Sequence, residues 1–163
     1  MKKIIILRHG EAQPPGPTSD HGRPLTEGGR NQAKSLGQMI KDRNHLPSSV
    51  ICSDATRTQE TYALLKSAAG LEVSQEIITN AFYLTDSEAI FNEMAAVSDS
   101  VDTALLVGHN PGWSEAAFIY SGEYLSLSPG YGVVLEIEAD SWLDALGCKH
   151  QWNLVDQLQP SRS

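Results

Sequence analysis

The chain has 163 residues, 40% of them hydrophobic, and carries 12 Lys and Arg against 20 Asp and Glu for a formal net charge of −8. That length suits one globular domain whose core folds without metal or disulfide staples. The acidic balance, with no basic run, excludes nucleic acid, whose affinity rests on phosphate neutralisation, and no apolar stretch approaches the ~18 residues of a membrane span.

Residues 1–158 read as a single domain, followed by a tail at 159–163 expected to fray. Lys2 and Lys3 precede an apolar run too short for a signal peptide, so the expectation is mature cytoplasmic sequence. Cys52 and Cys148 have no metal-ligand spacing and are taken as reduced thiols.

Lys3–Leu7 is a continuous apolar, β-branched run and predicts a strand buried on both faces. Pro14, Pro15, Gly16, Pro17, Gly22 and Pro24 make residues 11–24 a loop. Thr26 is placed to cap a helix that follows Ala33, Leu36 and Ile40 to about Arg43. Val50–Ser53 predicts a second strand, and a helix then runs from near Asp54 to Gly70. Val73–Ile78 is a weaker strand pattern, and Thr85-x-x-Glu88 is a capping-box signature ahead of Ile90, Met94 and Val97. Thr103–Val107 predicts another strand, after which Asn110 is placed to cap a helix opened by Pro111. Tyr131–Ile137 and Lys149–Leu154 complete the strands, with a helical turn near Ser141–Leu146. The alternation predicts an α/β protein, a three-layer α/β/α sandwich with a mostly parallel central sheet.

Ligands of such sheets bind beyond the carboxyl ends of the strands. Three predicted strand ends run straight into polar residues: Arg8-His9-Gly10, Ser53-Asp54-x-x-Arg57 and Gly108-His109-Asn110. Arginine offers forked donors matched to phosphate oxygens. Arg57, in the first turn of its helix, sits where the backbone dipole already disfavours a cation, so it needs an anion: Asp54, Glu60 or a ligand. A neutral imidazole is a competent nucleophile toward phosphorus, and neighbouring guanidiniums keep it neutral. His9 and His109 are the imidazoles that the strand ends deliver. His21, in the loop near these ends, reads as an exposed loop residue ahead of a substrate contact, and Trp113 as a core residue or a border of the pocket.

These residues carry a family resemblance. Leu7-Arg8-His9-Gly10-Glu11-Ala12 resembles the RHG signature of the histidine phosphatase superfamily, which has the phosphoglycerate mutase-like fold. Arg23-Pro24-Leu25-Thr26-x-x-Gly29 is similar to its next segment, Arg57-Thr58-Gln59-Glu60-Thr61 to the element after an S-x-A stretch, and Val107-Gly108-His109-Asn110-Pro111-Gly112 to the GHNPG-type ending of the small bacterial branch. The short chain has no room for a lid subdomain, which points within that superfamily to SixA-like phosphohistidine phosphatases. The resemblance implies His9 as a nucleophile that becomes phosphorylated. It implies Arg8, Arg57 and His109 as the phosphate pocket, with Asn110 as a further substrate contact, and neither metal nor organic cofactor.

Larger relatives place a glutamate general acid near the segment matching Ala81–Leu84, which has no carboxylate here. Glu11, Asp20 and Glu88 are the substitutes in reach of the sequence. Imidazole leaves phosphorus more readily than an alkoxide, so the missing acid favours a phosphohistidine of a phosphoprotein over a small phosphate ester. Two rival readings are a metallohydrolase built on His9, His109 and an acid, which adjacent arginines oppose, and a non-catalytic phosphoprotein-binding domain.

Overall fold

The protein is described here from a computed structural model covering residues 1–17 and 19–162. Along the chain run β1 (Lys2–Arg8), α1 (Glu27–Asp42), β2 (Ser49–Ser53), α2 (Thr56–Ala69), β3 (Gln75–Thr79), α3 (Glu88–Met94), β4 (Thr103–Gly108), α4 (Gly112–Ser121), β5 (Gly132–Ile137), α5 (Trp142–Gly147) and β6 (Asn153–Leu158). Among the described residues the strands form one sheet in the order β3-β2-β4-β1-β5-β6. β3, β2, β4 and β1 run parallel, β5 runs against β1, and β6 runs against β5. The fold is therefore the expected three-layer, mostly parallel α/β/α sandwich.

The pleat sorts the central strands between two cores, because successive side chains point to opposite faces. Ile5, Leu7, Val50, Cys52, Leu105 and Val107 pack with Leu36 and Ile40 of α1 and Tyr62 and Leu65 of α2. Ile4, Ile6, Ile51, Ala104 and Leu106 face Ile90 and Met94 of α3, Trp113 and Tyr120 of α4, and Trp142 of α5. Each large aliphatic side chain buried this way contributes about 1.5–3 kcal/mol. Register then sets the functional edge. Arg8 lies opposite Gly108 and Cys52 opposite Val107, so the residues that follow these strands emerge together.

Several local expectations need correction. The Thr85-x-x-Glu88 capping box does not form: Ser87 precedes α3 with its hydroxyl donated to Glu115 Oε1 (2.9 Å), and the Glu88 amide donates to Asp86 Oδ1 (3.0 Å). Asn110 is joined to Pro111 by a cis peptide and Pro111 itself occupies the cap position of α4. Asn110 still serves that helix end, since its Oδ1 accepts from the Ser114 amide (3.1 Å). α2 starts two residues later than expected, at Thr56. The last strand starts at Asn153, not Lys149. His150 takes a left-handed backbone (φ 62°) and its amide bonds to the Ile119 carbonyl, which rules out extended strand there. Residues 159–162, expected to fray, carry contacts: Pro160 is buried, Asn31 Nδ2 donates to the Arg162 carbonyl (3.2 Å), and Arg162 ion-pairs with Glu11. The expectation for Ser163 lies outside the described residues.

Candidate active site

β1 ends at Arg8, β4 at Gly108 and β2 at Ser53, and their neighbouring ends bring His9 and His109 to within 5.2 Å, ring centroid to centroid. An open cleft of about 350 Å³ lies over them, lined by Arg8, His9, Asp20, Arg23, Arg57, Leu84, His109, Asn110 and Pro129, with Glu11 and Ala12. A roomier cleft between α3, α4 and α5, about 560 Å³, holds neither histidine nor arginine.

The His9 ring is oriented by its own neighbour. A carbonyl accepts only, so Nδ1 carries the proton it donates to the Gly10 carbonyl (2.7 Å). Nε2 is then unprotonated, and accepts from Arg57 Nε at 3.3 Å. Burial first, and then the charges of Arg57, Arg8 and Arg23, push the His9 pKa down to about 3, against a raising influence from the Gly10 bond. The imidazole is neutral at physiological pH, with Nε2 unprotonated beside Arg57. Gly10 is required for close approach: a Cβ there would stand 2.8 Å from the Gly29 carbonyl oxygen of α1. Its amide donates to Thr61 Oγ1 (3.0 Å), and the Glu11 amide donates to Gln32 Oε1 (2.8 Å), which ties the turn to α2 and α1.

His109 is fixed through Ser53. Its Nε2 lies 2.8 Å from Ser53 Oγ, which also accepts the Ala55 amide at 3.3 Å. Its Nδ1 is buried with no partner among the described residues. Desolvation above all, then the charges of His9, Arg57 and Arg8, lower the His109 pKa to about 3, although Asp20 works the other way. Arg8 is aimed by the Leu127 carbonyl, which accepts from Nη1 at 3.0 Å, and its buried Nε has no partner among the described residues. Leu127 also holds Asn110, whose Nδ2 donates to the same carbonyl at 2.7 Å. Asn110 therefore lines the cleft while its amide braces the loop that positions Arg8.

Arg57, 2% exposed, finds its anion in neither Asp54 nor Glu60. Its Nη1 donates to the Asp20 carbonyl (2.7 Å) and its Nη2 to Asp20 Oδ2 (3.1 Å). Asp54 instead meets His21 Nε2 (2.9 Å), and Glu60 accepts the Leu25 amide (2.8 Å). Tyr83, absent from the residues singled out by sequence, completes the wall: its hydroxyl donates to Asp20 Oδ2 (2.5 Å) and its ring stands edge-on to His109 at 5.4 Å. Arg23 is a second newcomer, paired with Asp20 at 3.0 Å.

None of the substitute acids offers a proton here. The Tyr83 hydrogen bond first, followed by Arg23 and Arg57, holds Asp20 far below the usual carboxylate range despite partial burial. Glu11 is engaged by Arg162 and by Thr26 Oγ1 (2.9 Å), contacts that lower its pKa. Glu88 lines the other cleft. The site consists of two neutral imidazoles among three guanidiniums, with the Asp20 carboxylate held by two of these, the Glu11 carboxylate paired with Arg162, and open solvent above. Such a set takes a tetrahedral anion and presents a nitrogen nucleophile to it.

Comparison with known proteins agrees with this geometry. Residues 4–78 match the sequence profile described as the histidine phosphatase superfamily (branch 1). An uncharacterized chloroplastic protein of Arabidopsis thaliana is 27% identical over 173 aligned positions, covering 99% of this chain and 79% of its own. A structure from Nakamurella multipartitia, described as a candidate phosphohistidine phosphatase SixA, superposes with a TM-score of 0.82 at 27% identity, over 98% of this chain and 96% of that one. The protein histidine phosphatase SixA in complex with tungstate shares the fold at a TM-score of 0.80 and 18% identity, over 97% of each chain. Residues 4–78 thus carry the sequence likeness to the histidine phosphatase superfamily, and the whole chain shares its fold with the SixA structures, the four motifs standing in order over the same sheet.

Proposed function

We propose that the protein is a metal-independent phosphohistidine phosphatase that works through a phosphorylated His9. The observation that carries this reading is the His9 tautomer: Nδ1–H is spent on Gly10, which leaves Nε2 unprotonated in an arginine-lined cleft, held only by a long contact from Arg57 Nε (3.3 Å). Arg8 and Arg57 would bind the phosphoryl oxygens, and the free His109 Nδ1 would donate to them as charge shifts in transfer. His9 Nε2 forms a bond to phosphorus while the phosphorus–nitrogen bond to the leaving imidazole breaks, its electron pair returning to that nitrogen, which takes a proton from solvent. Water then attacks the phospho-His9, releasing inorganic phosphate and restoring the Nε2 lone pair.

The substrate class follows from what the site lacks. With Asp20 ionised and Glu11 committed, no side chain of the cleft is a ready acid at neutral pH. An alkoxide leaving group needs such a proton in the transition state, and an imidazole much less. The tungstate held by the SixA relative and the phosphohistidine activity in the names of these relatives support the same reading. The cleft is open, so a phosphohistidine on a protein surface reaches His9 without a lid moving aside. Arg8, Arg23 and Arg57 around the two imidazoles oppose a divalent cation and so speak against the metallohydrolase alternative.

The decisive experiment compares wild type with His9→Ala on a phosphohistidine protein in the presence of EDTA. Turnover that survives EDTA, an acid-labile phosphoenzyme in wild type, and loss of both in His9→Ala are expected. Turnover by His9→Ala would remove His9 as nucleophile. Phosphate binding by a wild type with no turnover would leave the binding-domain reading in its place.

A further inference from the structure

We propose that Leu84 is a specificity-determining residue that takes the face of a flat, ring-bearing leaving group. The inference rests on the phosphohistidine phosphatase reading and deepens it. Leu84 has a left-handed backbone (φ 46°), a conformation that crowds the Cβ of any residue but glycine and is tolerated otherwise chiefly by Asn and Asp. It is also 55% exposed and belongs to neither apolar core, so burial does not explain a leucine there. Strain of this kind persists only where neighbours over-determine it, and it collects at ligand sites.

Both neighbours are fixed. Tyr83 is held by Asp20 and by ring contacts with His109 and His21, and the Thr85 carbonyl lies where a Cβ on Gly112 would approach to 2.3 Å. Leu84 is thereby held on the rim of the cleft that contains His9 and His109, together with Ala12 and Pro129. Position on the reaction axis gives the rim its meaning. In phosphoryl transfer the attacking and leaving atoms lie roughly in line through phosphorus. His9, 7% exposed, attacks from the floor, so the leaving group departs toward the mouth. The charged residues grip the phosphoryl group, and the apolar rim is left for what carries it. An imidazole presents two weakly polar faces, and a leucine side chain is a fitting surface for one of them.

The test compares kcat/KM on two phosphoramidates, phosphohistidine and the ringless phosphoramidate ion, for wild type, Leu84→Gly and Leu84→Asn. Both variants accept the left-handed backbone, and Leu84→Gly relieves its strain, so thermal stability is expected to hold or rise. With the side chain removed, kcat/KM on phosphohistidine is expected to fall about tenfold, the scale of lost apolar pocket contacts, while the value on phosphoramidate stays within twofold. Equal losses on both donors, or no loss on phosphohistidine, would overturn the role of Leu84 while leaving the phosphatase reading intact. A wild type inert toward both donors would overturn that reading first, and the assignment of Leu84 with it.

Discussion

Ser53 is the hinge of the chemistry at the residue scale, although it reacts with nothing. Its oxygen accepts the Ala55 amide and lies 2.8 Å from His109 Nε2, and the tautomer that suits phosphoryl transfer has the serine proton donated to that nitrogen. His109 then carries its own proton on Nδ1, the atom with no partner among the described residues. In the proposed mechanism the serine thus decides whether His109 would present a donor or a lone pair to a phosphoryl oxygen. Ser53→Ala is expected to lower kcat/KM at least tenfold with the protein still folded, and to shift the His109 ring nitrogens from the Nδ1–H to the Nε2–H pattern in long-range ¹⁵N NMR. A reduced rate with an unchanged nitrogen pattern would mean that the serine merely packs.

The sequence makes Arg8, His9, Arg57 and His109 legible because they lie at or just past the ends of strands of continuous apolar residues, and strands in parallel sheets deliver their ends to one place. Ser53, Arg23 and Tyr83 are harder to see. Ser53 looks like the last residue of a strand, and only the 2.8 Å contact reveals its partner. Tyr83 reaches Asp20 across 63 positions, a pairing that no spacing rule encodes. The same holds for the anion of Arg57, which comes from the loop before α1 and not from its own helix.

At the scale of elements, the turn after β1 and the first turn of α1 work as one unit. The Thr26 amide bonds to the Glu11 carbonyl (2.9 Å), and Thr26 Oγ1 caps the Gly29 amide (3.0 Å). Backbone meets backbone so closely that a Cβ on Gly29 would stand 2.0 Å from the Glu11 carbonyl oxygen. Next door, a Cβ on Gly28 finds its nearest neighbour at 3.4 Å, on the Arg162 side chain. Gly29→Ala is therefore expected to cost about 1–3 kcal/mol, as overpacked sites do, and to cut phosphohistidine turnover by displacing the turn that carries His9. Gly28→Ala, whose Cβ would meet only side-chain atoms at ordinary van der Waals distance, is expected to be close to neutral. Urea midpoints and rates for the pair check the claim, and equal midpoints would refute it. Elements of this unit and the four central strands are plain in the sequence, since burial on both faces leaves unbroken apolar runs. β6 is not, because it is an edge strand with alternating exposure, and its start is set by where His150 and Trp152 dock on α4. The start of α3 is misread for a similar reason: Ser87 bonds to Glu115 on another helix, which a local capping pattern cannot foresee.

Across the whole molecule, a site built to hold an anion is a burden to the empty protein. Two imidazoles are kept neutral by burial and by surrounding arginines, each with its pKa near 3 in place of the ordinary 6.5. The unfolded chain takes up protons on these histidines as pH falls below about 6.5, and the folded protein does not until about pH 3, so acid favours unfolding throughout that window. The stability they contribute is complete above about pH 6.5 and is lost as pH falls toward 3. Asp20 acts with the same sign but lower, because its ordinary value of 3.8 is already below the upper part of the window. A comparison between pH 7 and pH 4.5 therefore isolates the imidazoles from that carboxylate. The urea midpoint in phosphate-free buffer is expected to fall between these two values in wild type, and to fall less in the His9→Gln, His109→Gln double variant, whose side chains do not titrate. A saturating oxyanion is expected to reduce the wild-type drop as well, since negative charge between the rings raises both pKa values toward normal. Parallel drops in wild type and the double variant would show that the acid sensitivity resides elsewhere and that the two rings are not held neutral by the site.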